Sequence, residues 1–169
     1  MNARTEILEL VGAIVLSAQS SEHYLKAILP FTHTKDPSLA GALARAEKLK
    51  RRTLGDLVGK LVDASTSKSD HFEADLANLV DDRNRVVHHF AETYGKQLKD
   101  GDVEGVITAL RTIRANAKAL EQAVEGLALR LMEALRDITY RGTPEFDDFD
   151  ALCVEFRNRL PAASPSSMD

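Results

Sequence analysis

Residues 81–90 of the chain, DDRNRVVHHF, combine the side-chain types that phosphodiester chemistry uses. Histidine titrates near pH ~6.5, so His88 can act as a base or an acid at neutral pH. The planar guanidinium of Arg83 offers donors that match phosphate oxygens, and Asn84 beside it adds a polar amide. Cleavage of RNA without a metal ion needs a group that activates the ribose 2′-OH and a cation that stabilises the phosphorane. Arg83 and His88 are therefore candidates for that chemistry.

The spacing determines which of these side chains can meet on a helix. At about 100° per residue, Asn84 and His88 lie about 40° apart, whereas Arg83 and His88 lie about 140° apart. Only the long arm of Arg83 could reach His88, and Asn84 is predicted to orient His88 or to contact substrate. One histidine cannot be base and acid at the same moment. Two copies related by a two-fold axis would divide these roles, so the chemistry predicts a homodimer.

Arg83 also interrupts an apolar stripe on its helix. The stripe includes Leu76, Leu79 and Val87, spaced by threes and fours. An inward-facing arginine is costly unless it pairs with another group or has a function. Glu22 takes one position on the stripe of the first predicted helix, so we predict that Glu22 supports Arg83. The alternative is that Glu22 lies at a wet edge of the bundle.

The periodicity predicts helices throughout, and no strand pattern is found. The helices are expected at about residues 5–29, 38–50, 53–65, 69–99, 102–136 and 147–160. Thr53 is the predicted N-cap of the third helix, which ends at the polar stretch near residue 65, and Gly101 closes the fourth. The first helix carries an apolar stripe of Leu8, Val11, Val15, Ala18, Leu25 and Leu29.

This pattern predicts an all-α fold. Residues 1–140 are expected to form an antiparallel helical bundle of four to five helices. Residues 141–160 then form a short C-terminal helix packed on the bundle, and residues 161–169 form a disordered tail.

Composition limits the class of protein. A chain of 169 residues with 44% hydrophobic residues is long enough for one domain with its own core. A single cysteine, Cys153, cannot form an internal disulfide and is typical of a reducing cytoplasm. The apolar run from Val11 to Leu16 is too short to span a membrane and carries no signal-peptide cleavage pattern. The expected location is cytoplasmic, with no membrane contact.

A net charge of −4 argues against a basic coat over the whole surface, although a local basic cleft remains compatible with it. A run of basic residues at positions 48–52 precedes the third predicted helix, and basic runs of this kind most often form a solvated face. The alternative is that they contact RNA. The candidate RNA-binding residues are Lys48, Lys50, Arg51 and Arg52, together with Arg85 in the motif.

A metal site is a further alternative. His88 or His89 with Glu92, and the carboxylates Asp81 and Asp82, offer ligand types that zinc accepts. No HExxH pattern, CxxC pair or glycine-rich phosphate loop occurs in the chain, so no metal and no cofactor are predicted.

Arg83-Asn84-x-x-x-His88 resembles the RNxxxH (Rx4–6H) signature of HEPN domains, an all-helical superfamily. The resemblance covers residues 5–137 in pattern but only the motif in identifiable residues. It implies a dimeric bundle whose paired motifs line a cleft and cleave RNA without metal, with Arg83, Asn84 and His88 as the catalytic positions.

Many HEPN members are toxins or antiphage effectors, so the resemblance also implies an antitoxin or regulatory partner protein. Toxins silenced by nucleotidyltransferase antitoxins often carry a tyrosine two residues after the histidine, a position that Phe90 occupies here. The alternative function is a catalytically inactive, dimeric HEPN-like interaction or regulatory module. In that case Arg83 and Glu22 would form a buried structural pair.

Overall fold

The computed structural model describes residues 2–32, 39–64 and 70–160, and in these ranges the chain is helical without strands. This confirms the predicted all-α helical bundle. The helices are α1 (Ala3–Ile28), α2 (Leu39–Leu49), α3 (Leu54–Ala64), α4 (Asp70–His88), α5 (Phe90–Lys99), α6 (Val103–Leu135) and α7 (Phe146–Arg159). A 3-10 turn, Leu29–Phe31, follows α1, and a π-helical turn, Arg136–Tyr140, follows α6.

The chain divides into two compact units, residues 1–121 and 122–169. In the second unit α7 packs on the π-helical turn, where Arg136 bonds to Asp150, and Cys153 is fully buried. The predicted disordered tail lies outside the described residues. Among the described helices, none combines the length and apolar character needed to cross a membrane.

The buried face of α1 agrees with the predicted stripe in the second half of the helix, at Ala18 and Leu25, and differs from it in the first half. Leu10 and Ile14 are buried, whereas Leu8, predicted to face inward, is 62% exposed. The helix carries apolar residues on more than one face, and packing against α3 and α4 selects the one that is buried. On that face the polar position is taken by Ser21, whose hydroxyl donates to the Ser17 carbonyl, and not by Glu22.

The core of the first unit joins α1 to the helices around the motif. On α4 the residue that enters this core is Val86, which is 3% exposed, whereas the predicted Val87 is 36% exposed. The predicted stripe is therefore confirmed at Leu76, which is 2% exposed, and is displaced by one residue at Val87. The cluster consists of Leu10, Ile14, Val86, Tyr94, Val106, Ile107, Leu110 and Ile113.

The predicted helix over residues 69–99 is not continuous, since His89 separates α4 from α5. The backbone of His89 departs from helical values, with φ −125° and ψ 23°, although its amide still bonds to the Arg85 carbonyl at 3.2 Å. In a straight helix Val86 and Tyr94 would lie about 80° apart. That separation fits within one apolar face, so both side chains enter one core, and the break at His89 falls directly after the motif.

Two predicted helix ends are confirmed by their caps. Thr53 begins α3 with reciprocal bonds to Asp56, each 3.4 Å long, which satisfy free amides of the first turn. Gly101 ends α5 with φ +85°, and the Asp102 amide bonds back to the Gln97 carbonyl at 2.9 Å. This is a Schellman motif, which favours glycine because the left-handed conformation strains other residues.

Candidate functional site

The motif occupies the last two turns of α4. The side chains of Arg83 and Asn84 are half-buried, and His88 is exposed at the end of the helix. Val86 between them anchors this turn in the core. The helix therefore holds the motif firmly on one side and presents His88 to solvent on the other.

A single guanidinium nitrogen connects the three side chains. Nη1 of Arg83 donates to Oδ1 of Asn84 at 3.0 Å and lies 3.0 Å from Nε2 of His88. A guanidinium can only donate, so Nε2 of His88 must accept, and in this arrangement the ring carries its proton on Nδ1. The arm of Arg83 thus spans the wide angle on the helix and brings the cation to the imidazole.

Of the two predicted roles of Asn84, direct orientation of His88 is not seen in the described structure, and contact with substrate stays a prediction. The Asn84 oxygen accepts from Arg83, and no contact with His88 is found among the described residues. Asn84 therefore orients the arginine, which holds Nη1 towards His88. The Nε and Nη2 groups of Arg83 have no acceptor among the described residues, and they remain as donors for an anion.

The predicted pair between Glu22 and Arg83 is wrong. The carboxylate of Glu22 accepts from Lys26 at 2.7 Å, one turn along α1. Lys26 also donates to the backbone carbonyl of Lys50 at 3.0 Å. Because Ser21 takes the polar place on the buried face, Glu22 lies at the edge of the bundle and pairs with the nearest cation. The four-residue spacing of Glu22 and Lys26 favours this pair within one helix, and that signal is visible in the sequence alone.

The predicted metal ligands do not come together in the described part of the chain. There, no group of three histidine, cysteine or acidic side chains lies close enough to hold a metal ion. His89 instead bonds through Nδ1 to Glu92 at 2.9 Å, and its ring lies 6.4 Å from that of His88, edge to face. Asp82 pairs with Arg85 at 3.3 Å.

Tyr94 adds a buried phenol behind the motif, and the sequence reasoning did not single it out. Its ring packs 5.2 Å from that of Phe90 within the core cluster. Burial raises the pKa of the phenol, and the nearby Asp82 carboxylate raises it further, while Arg85 acts in the opposite direction. At neutral pH Tyr94 therefore stays protonated.

This environment predicts a loss of stability at alkaline pH. The native state keeps the Tyr94 proton above 10.0, the ordinary pKa, whereas the unfolded chain has begun to lose it. The stabilising contribution is therefore complete below that pH and is lost as the pH rises through the native pKa. Urea unfolding at about pH 8.5 and about pH 11 should show a smaller alkaline loss for Tyr94→Phe than for wild type. Equal losses would contradict the raised pKa.

The remaining cations of the sequence analysis lie on two segments. Arg85 is exposed on α4 and bonds to Asp82. The basic run, residues 48–52, forms the end of α2 and the turn before α3. Its Lys50 carbonyl accepts the Lys26 hydrogen bond, so the turn is fixed to α1 at this point.

Comparison of the chain with models of known protein families, with curated proteins and with solved structures gives no match. The function has to be argued from the geometry of the motif and from the resemblance that its residues carry.

Proposed function

We propose that this protein is a metal-independent endoribonuclease of the HEPN type, acting as a cytoplasmic homodimer. The observation that carries the proposal is the 3.0 Å contact between Nη1 of Arg83 and Nε2 of His88 at an exposed helix end. It joins the two groups that the reaction needs, a phosphate-binding cation and a proton-transfer group. Asn84 holds the arginine in place through its own 3.0 Å bond.

Binding of a phosphate would change this arrangement. Phosphate oxygens are stronger acceptors for a guanidinium than an imidazole nitrogen is, because the hydrogen bond then joins opposite charges. In the proposed mechanism they take over the Arg83 donors, so that Nε2 of His88 is released and its lone pair can accept a proton. The substrate itself would then convert a resting histidine into a base.

The reaction proceeds in one displacement at phosphorus. Nε2 of His88 takes the proton of the ribose 2′-OH as that oxygen bonds to phosphorus. The bond from phosphorus to the 5′ oxygen breaks, and the departing oxygen receives a proton from the His88 of the second copy, which enters the step as the imidazolium. Arg83 stabilises the two negative charges of the phosphorane. The products are a 2′,3′-cyclic phosphate and a free 5′-OH.

Accessibility and position support this proposal over a structural role. A structural ion pair would face a carboxylate, but Arg83 faces an amide and a histidine. Within the described residues, Glu22, the carboxylate predicted to neutralise it, pairs with Lys26 instead. The alternative, an inactive HEPN-like interaction module, has no need for His88 to be exposed next to the guanidinium.

The test is an RNA cleavage assay in EDTA. Purified wild-type protein and the Arg83→Ala/His88→Ala double variant are incubated with total tRNA and with a mixed RNA pool. We expect cleavage by wild type alone, with 2′,3′-cyclic phosphate ends, which phosphatase removes only after acid has opened the ring. The oligomeric state is measured on the same samples by analytical ultracentrifugation, since the acid step requires a second copy.

The outcomes separate the two functions. Cleavage by both proteins would point to a contaminating nuclease and would withdraw the assignment. No cleavage by either, together with a stable dimer, would favour the interaction or regulatory module. Cleavage by a monomeric wild type would keep the nuclease and refute the division of labour between two His88 side chains.

A further inference from the structure

The packing of α3 on α4 places the start of α3 beside the motif. A Cβ added to Gly55 would lie 3.4 Å from Cγ1 of Val80. The groove between the helices is lined by Val58, Gly59 and Val62 on α3 and by Ala74, Ala77 and Val80 on α4. Positions early in α3 thus face positions late in α4, so the two helices are antiparallel.

This register directs the basic turn, residues 48–52, towards the active residues. The turn comes directly before Leu54, the first residue of α3. It therefore lies at the end of the α3–α4 pair at which α4 continues past Val80 towards the motif. From Val80 to Asn84 the rise along α4 is only about 6 Å. The turn therefore lies at the level of Arg83 and Asn84, although 30 residues of the sequence lie between Arg52 and Arg83.

A contact with α1 holds the turn there. Nζ of Lys26 bonds to the Lys50 carbonyl at 3.0 Å and to Glu22 at 2.7 Å. Lys26 is about three-quarters buried, with 26% of its side chain exposed. A partly buried ammonium held by a carboxylate has a defined position, so it fixes the backbone of the turn relative to α1.

Two cations of the turn are exposed without a counter-charge. Lys50 pairs with Glu47, and Arg52 lies 3.9 Å from Asp56. Lys48 and Arg51 have no acidic partner among the described residues. An exposed cation with no partner in the protein is available for a mobile polyanion such as a nucleic acid backbone.

We propose that the basic turn binds phosphates of an unpaired RNA strand next to the bond that Arg83 and His88 cleave. Lys48 and Arg51 make these contacts, and the Glu22–Lys26 pair acts as the positioning device. An unpaired strand is favoured because its sugar and phosphate can rotate into the attack geometry. This inference rests on the proposed nuclease function and adds the second point at which the strand is held.

Binding is measured with the cleavage-deficient His88→Ala protein and a fluorescein-labelled single-stranded RNA, by anisotropy at several KCl concentrations. Each phosphate contact contributes about 0.7 to the magnitude of the slope of log K against log salt concentration. Adding Lys48→Ala and Arg51→Ala removes two contacts, so the magnitude of the slope should fall by about 1.4. At 0.1 M salt this corresponds to an affinity about 25-fold weaker. The matched control is Lys60→Ala/Lys99→Ala, which removes two exposed cations that have no acidic partner among the described residues, one from the second half of α3 and one from the end of α5. It should bind within about twofold of the parent.

The positioning role of Lys26 has its own readout. Lys26→Met removes the donor to the Lys50 carbonyl, so RNA affinity should fall several-fold and the Arg52 amide should exchange hydrogen faster. That amide bonds to the Leu49 carbonyl at 3.0 Å inside the turn. Lys26→Arg keeps a donor and a charge and is expected to restore both quantities. Failure of the arginine variant to restore either of them would contradict the positioning role.

The design distinguishes this inference from the proposed function. Wild type that cleaves RNA, with Lys48→Ala/Arg51→Ala binding as tightly as the control, overturns the role of the turn and leaves the nuclease intact. A weaker affinity with an unchanged salt slope also overturns it, because phosphate contacts must alter the slope. Wild type that neither binds nor cleaves RNA overturns both. The expected pattern of lower affinity and lower slope supports the turn as a binding surface.

Discussion

His88→Ala is expected to lower the rate of RNA cleavage by about 10²–10⁴-fold, whereas His89→Ala should leave it within about twofold of wild type. The two histidines are adjacent and both exposed, so their replacement changes composition equally. Only His88 meets the guanidinium of Arg83, while His89 bonds to Glu92 on another face. The difference between the variants therefore reports on the chemistry of one imidazole.

The measurement is the single-turnover rate on a defined RNA oligonucleotide in EDTA, with protein in excess. Circular dichroism and the thermal midpoint should agree among the three proteins, because neither side chain belongs to the buried core. Equal rates for His88→Ala and wild type would eliminate His88 as the proton-transfer group. A comparable loss in His89→Ala would move the reactive centre to the pair formed with Glu92.

The parts of the fold that the sequence predicted correctly are those determined by local interactions. The first helix is predicted to end at about residue 29, and α1 ends at Ile28 with Pro30 in the following 3-10 turn. The Thr53 cap and the Gly101 stop each depend on residues within five positions of one another. Such signals can be read from the sequence because backbone amides at helix ends need partners nearby.

The errors concern which face of a helix is buried. On α1 two apolar stripes compete, and only the packing against other helices selects Leu10 and Ile14 over Leu8. The break at His89 is likewise not indicated by the apolar pattern, since Val86 and Tyr94 on either side of it join one cluster with residues of α1 and α6. Periodicity records that a face is apolar but carries no information about its partner.

The candidate site likewise combines contacts that local helical geometry restricts with contacts that depend on tertiary packing. Arg83, Asn84 and His88 lie within six consecutive residues, so helical geometry alone restricts their contacts, and the arm of Arg83 supplies the rest. The link from Lys26 to Lys50 spans 24 positions and depends on how α1 packs on the turn. No spacing rule predicts it, because the two residues meet only through tertiary packing.

Arg83→Lys tests the geometry of the cation separately from its charge. The lysine variant is expected to lose about 10²-fold or more in single-turnover rate, since one ammonium cannot hold Asn84, approach His88 and bind two phosphate oxygens together. Its affinity for RNA should change only a few-fold, because the charge that releases counterions is kept. Arg85→Lys is the control, because Arg85 is exposed, bonds to Asp82 and contacts neither Asn84 nor His88 in the described structure.

The split between rate and affinity in Arg83→Lys is what separates a catalytic role from electrostatic attraction alone. If Arg83 only attracted RNA, lysine would serve equally well and both quantities would stay near wild type. If Arg83 only supported the fold, the thermal midpoint would fall together with the cleavage rate and the RNA affinity. A large loss of rate with nearly unchanged affinity and midpoint requires that the planar guanidinium stabilise the transition state more than the bound substrate. Its Nε and Nη2 groups, which have no acceptor in the described part of the chain, are the donors available for that purpose.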